Sequence, residues 1–179
     1  MDPDWAEAAR SLIEMLDLMQ MEAVFVGSIA EAAWLGNEVA AGPIDVLALT
    51  SSGHARMIPK VAGQHGFEVD AAEIERAEEL DLIPLTRRSG EQRIRIHILM
   101  ATNALYSRMI RNAVAGFAGG MALRLLAPED LAILLLVDES SDARRRLDRL
   151  IEAAGEEMNL DRLNETLASL GLSSKMVRR

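Results

Sequence analysis

The spacing of apolar and polar positions along this chain changes several times, and each change predicts an element. Residues 4–20 place Leu12, Ile13, Leu16 and Met19 at helical spacing, which predicts an amphipathic helix. Residues 23–26 form a short apolar run of strand type. Residues 28–36 read as a helix stopped at Gly36, and 44–49 as a second strand entered through a Gly42-Pro43 turn. A helix over 53–65 ends near Gly66, and 67–69 is a further short strand.

Two runs, 80–86 and 92–99, then predict a hairpin, because Arg88-Ser89-Gly90-Glu91 between them carries turn chemistry. The second run alternates, with Ile94, Ile96 and Ile98 on one face and Arg93, Arg95 and His97 on the other. A helix is predicted over 103–117 and a strand over 122–126. Pro128 suits the first turn of a helix, with Glu129 and Asp130 at its positive end. Helices over 142–154 and 160–170 follow, stopped by Gly155 and Gly171. The class is α/β (α+β): a mixed sheet flanked by helices in 1–126, and a C-terminal helical extension in 127–179 that packs on it as one unit.

The chain has 179 residues, enough for one domain that buries a core without staples. Half of them are hydrophobic but only 3% aromatic, so aliphatic residues and the ten methionines must fill that core. With no cysteine, disulfides and thiolate-bound zinc are excluded. The start, Met1-Asp2-Pro3-Asp4-Trp5, lacks the basic and apolar stretches of a signal peptide. The longest apolar run, 131–137, is too short for a bilayer. A cytoplasmic protein without membrane contact is expected. A net charge of −9 disfavours nucleic acid as a partner.

Four motifs occur in order. Gly27-Ser28 follows the first strand and opens a helix; Gly42-Pro43-Ile44-Asp45-Val46-Leu47 follows about 15 residues later. Arg95-Ile96-His97-Ile98-Leu99 forms a strand end, and Leu126-Ala127-Pro128-Glu129-Asp130-Leu131 opens a helix. This order resembles the nucleotidyltransferase superfamily, and is most similar to the bacterial toxin-like branch related to type IV abortive-infection toxins. The resemblance implies a nucleotidyltransferase-like sheet and assigns Gly27 and Ser28 to cradling nucleotide phosphates. It also implies an Asp-x-Asp pair and a third carboxylate for magnesium. Of these, Asp45 matches the second Asp, while Pro43 stands at the first and His97 at the third.

One carboxylate is a poor holder of magnesium, which demands hard oxygen ligands in octahedral geometry. Imidazole suits softer metals. The expected function is therefore that of a pseudoenzyme with a degenerate site, acting through a protein partner or through metal-independent nucleotide binding, with no cofactor. An active magnesium-dependent enzyme, with Asp45 as its metal ligand, is one alternative. A ligand-free scaffold is another. A homodimer is also compatible with the sequence.

Each candidate residue has a structural reading beside the functional one. Ser28 and Glu31 fit a capping box. Asp45 could be a strand-edge carboxylate. His97 could pair with Asp45 across the former metal site, or with the backbone. Arg93 and Arg95 could bind an anion or simply be solvated. Glu22, Glu68 and Asp70 lie near strands, but not at motif positions. His54 and His65 are three helical turns apart, too far to share one ion.

Overall fold

The computed structural model describes residues 3–39, 42–50, 52–69, 81–138 and 140–172; for 52–55 it describes the backbone. In chain order the elements are α1 (Pro3–Leu18), β1 (Ala23–Phe25), α2 (Gly27–Trp34), β2 (Ile44–Ala48), α3 (Ser52–Gln64), β3 (Phe67–Glu68), β4 (Leu82–Ser89) and β5 (Gln92–Met100). Then come α4 (Ala104–Arg111), β6 (Val114–Ala118), β7 (Met121–Leu125), α5 (Pro128–Val137), α6 (Ser141–Ala154), a 3-10 turn (Gly155–Glu157) and α7 (Leu160–Ser169). The described strands form one seven-stranded sheet in the order β3-β4-β5-β2-β1-β7-β6. The β1–β7 and β2–β5 pairs are parallel and the others antiparallel, so the sheet is mixed, as the sequence predicts.

Strand alternation decides which helices cover which face. Ile94, Ile96 and Ile98 of β5 and Ile44 and Val46 of β2 point into a core closed by Leu12 and Met15 of α1 and Ile58 of α3. Val24 of β1 and Leu47 of β2 point the other way, into a second core with Ile110, Leu131, Leu147 and Leu163 of the later helices. Fully burying each such Leu or Ile stabilises the fold by roughly 1.5–3 kcal/mol. Helix α5 is apolar on nearly every side, so it has no face to offer water and is buried beneath α6 and α7.

The acids that open α5 are buried too. Glu129 accepts from the Asn159 backbone N–H and from Arg162. Asp130 accepts from Asn112 Nδ2 at 3.4 Å and lies 4.0 Å from Arg162. Burial pushes the Asp130 carboxyl up, against the opposing pull of Arg162, Asn112 and Arg108.

Residues 103–117 do not form one helix. Helix α4 stops at Arg111, and Val114–Ala118 becomes β6, hairpinned onto β7 from Val114↔Leu125 to Ala118↔Met121. The turn residues Gly119 and Gly120 have φ of 56° and 82°. Two consecutive left-handed residues make the type I′ turn that matches strand twist, and only glycine adopts them freely. The first hairpin is also longer than expected. β4 runs through Ser89, leaving Gly90 (φ 58°) and Glu91 as a two-residue turn. Leu80 lies outside the described residues.

Candidate functional site

β2 and β5 run parallel with Asp45 beside His97. Their neighbours Ile44, Val46, Ile96 and Ile98 fill the first core, so both polar side chains project from the opposite face. His97 Nδ1 lies 2.8 Å from Asp45 Oδ1, with the two side chains 30% and 22% exposed. The pair therefore sits at a half-buried level, open on one side.

Beside it passes the turn between β1 and α2. The Val26 N–H donates to the Asp45 carbonyl at 3.0 Å. Gly27 has φ +60°, and a Cβ there would stand 2.8 Å from Asp45 Oδ2. A glycine is thus required twice over, by backbone conformation and by the approach of the carboxylate. Gly27, Asp45 and His97 form one cluster.

The capping box is not formed. The residue before α2 is Val26, extended and without a side-chain cap. Glu31 turns away to accept from Arg146 Nε at 2.7 Å and Arg149 Nη2 at 3.4 Å. Two charge-assisted bonds to guanidinium groups outweigh one reach-back bond to a backbone N–H. Glu31 also makes the Arg146 guanidinium harder to deprotonate.

Ser28 instead borders a cleft of ≈ 390 Å³ lined in part by Asn37, Glu38, Arg146 and Arg149. Arg146 belongs to the basic run 144–146, one of the clusters in the sequence where a phosphate site is possible; Arg149 lies outside that run and carried no signal, and neither gives a hint of α2 as its partner.

Arg93 and Arg95 share the face of β5 that carries His97, but both are exposed. β2 begins opposite Ile96, so they extend beyond its first residue. Neither has an ion-pair partner among the described residues. The other acids weighed as metal ligands are engaged elsewhere: Glu22 lies 3.7 Å from Arg124, and Glu68 is 2.8 Å from Arg88. Asp70 and the His54 side chain lie outside the described residues.

Magnesium does not fit the cluster. Its donors are one carboxylate, already bonded through Oδ1 to an imidazole, and that imidazole. Among the described residues no three His, Asp or Glu side chains converge as a metal site. No described helix is long and apolar enough to cross a membrane.

No protein-family model matches the chain, and no curated protein does so either. Solved structures do resemble it. The solution structure of the antibiotic-resistance factor ANT(2'')-Ia has a TM-score of 0.57 and 15% identity, over 96% of this chain and 95% of that one. A crystal structure of ANT(2'')-Ia in complex with adenylyl-2''-tobramycin has a TM-score of 0.54 and 16% identity, over 92% and 97%. An antigenic nucleotidyltransferase-like protein from Paracoccidioides brasiliensis has a TM-score of 0.58 and 14% identity, over 95% and 88%. The likeness is one of fold, and the fold is that of the nucleotidyltransferases.

Proposed function

We propose that this nucleotidyltransferase-fold chain has lost catalysis and holds a nucleotide by its phosphates without a metal. The observation that carries the reading is the 2.8 Å contact between His97 and Asp45. Phosphoryl transfer in this kind of site needs metal ions to bridge and neutralise the phosphates. Here an imidazole stands against the carboxylate that would hold such an ion.

Directed donors for the phosphates are available from protein groups. Arg146 and Arg149 border the cleft at Ser28 and both bond Glu31; Glu38 and Asp142 line the same cleft, so a phosphate there would be held by guanidinium N–H groups and not by an excess of positive charge. Arg93 and Arg95 add two exposed guanidinium groups on the face of β5 that carries His97. Guanidinium groups recognise phosphate oxygens with paired, directional bonds. The kinship we favour is with the toxin-like branch that the motif order resembles, in a cytoplasmic setting.

Calorimetric titration with ATP, GTP, CTP and UTP, with and without magnesium, tests this. Equal binding in both conditions is expected. Binding that requires magnesium would overturn the loss of the metal site. No binding in either condition would overturn the nucleotide and leave a protein partner as the ligand.

A further inference from the structure

The two edges of the sheet are built differently. The β3 edge is two residues long and carries the Glu68–Arg88 ion pair, and short charged edges resist adding another strand. The β6 edge is five residues, Val-Ala-Gly-Phe-Ala, with no charge and no proline. Among the described residues, its backbone pairs with β7 alone.

The side chains of β6 divide by face. Ala118 is buried in the first core with Ile29 and Ala32 of α2, which packs against this strand. Ala115 and Phe117 point to the open face, and Phe117 is 72% exposed, the highest value among the exposed large hydrophobic side chains. A bare edge with an exposed aromatic is what most folded proteins avoid.

The strand is close to self-complementary. Paired antiparallel with its own copy about Gly116, it sets Phe117 of each chain opposite Ala115 of the other, on the same face. A large side chain then lies on a small one, and Val114 faces Ala118. No charged residue of β6 meets its own copy. In a chain of net charge −9, an uncharged edge is also where two copies repel least. A partner of opposite charge would have no ionic group on β6 to recognise.

We propose that β6 pairs with β6 of a second copy, centred on Gly116, to join the two sheets into one. This inference is independent of any ligand. Five paired residues bury less than the ~800 Å² per partner of a standard interface, so a weak, concentration-dependent dimer is expected.

Sedimentation equilibrium of the full chain reads this directly. The weight-average mass should rise from 19.6 kDa toward twice that value with concentration. Phe117→Asp, at an exposed site, should keep its circular dichroism and stay monomeric. Because the chain has no cysteine, register can be read separately. An oxidised mixture of Ala115→Cys and Phe117→Cys chains should cross-link each variant to the other. Directly opposed residues lie within disulfide reach, whereas 115 to 115 is a longer diagonal. A mass fixed at 19.6 kDa, a dimer that survives Phe117→Asp, or cross-links without preference for the mixed pair would each overturn the proposal.

Discussion

His97 Nδ1 meets Asp45 Oδ1 at 2.8 Å across two parallel strands, at the place where the motif order leads one to expect two carboxylates around a metal. On the proposed reading, the face keeps the strand pairing of a metal site and lacks two of its carboxylates. Putting the missing acids back should therefore suffice to recover metal dependence. Pro43→Asp with His97→Asp restores an Asp-x-Asp strand and a third carboxylate on the adjacent one. We expect magnesium to tighten nucleotide binding by the double variant roughly tenfold or more, about 1.4 kcal/mol, and to leave the original chain unaffected. Calorimetry of both proteins with and without magnesium checks this.

Gly27→Ala should destabilise the protein. The left-handed backbone costs an L-residue about 1–2 kcal/mol, and the new methyl also meets Asp45 Oδ2 at 2.8 Å. Urea denaturation should show a lower midpoint with an unchanged slope. Stability equal to the parent would show that the turn relaxes away from Asp45.

Glu31 ties α2 to α6, and its two arginine partners are unequal. The Arg146 side chain is 29% exposed and bonded at 2.7 Å, whereas Arg149 is 61% exposed and bonded at 3.4 Å. Glu31→Gln should cost roughly 1–3 kcal/mol, because it leaves a partly buried guanidinium short of its charged acceptor. Arg149→Ala should change stability by less than about 0.5 kcal/mol, as solvent already competes for that bond. Equal costs in a chemical-denaturation series would refute this ranking.

Asp130 should give stability a pH dependence whose sign follows from its burial. Burial raises its folded pKa above the ordinary carboxylate value of 3.8, so the folded state holds this proton more tightly than the unfolded chain. The contribution is complete below the unfolded pKa and is lost as pH climbs through the folded one. Comparing denaturation free energies from pH 3.5 upward, the parent should lose stability relative to Asp130→Asn. A constant difference between the two would contradict the assignment.

Much of this arrangement was legible in the chain, for identifiable reasons. The strict alternation of β5 put Ile94, Ile96 and Ile98 on one side and His97 on the other, and a one-residue shift would have exposed every isoleucine. Asp45 was marked by the motif order, and its place between the core residues Ile44 and Val46 accounts for its facing the other way. β6 was not legible as a strand, because Val-Ala-Gly-Phe-Ala carries only small residues and one aromatic and has no polar alternation. Gly119-Gly120 between two apolar runs was the available clue. Glu31 misled for a different reason. Its spacing from Ser28 fits a local cap, while the residues that claim it, Arg146 and Arg149, lie more than a hundred positions away. Long-range ion pairs leave no periodic trace.

The 52-residue separation of Asp45 and His97 has a consequence in time. β4 and β5 close through a two-residue turn, a local event of microseconds. β5 reaches β2 only by a parallel, non-local pairing, the slow kind of contact. The imidazole should meet its carboxylate only when that docking is complete. In a refolding experiment the His97 ring resonances would then act as a clock for the docking of the hairpin onto β2, trailing any probe placed in the hairpin.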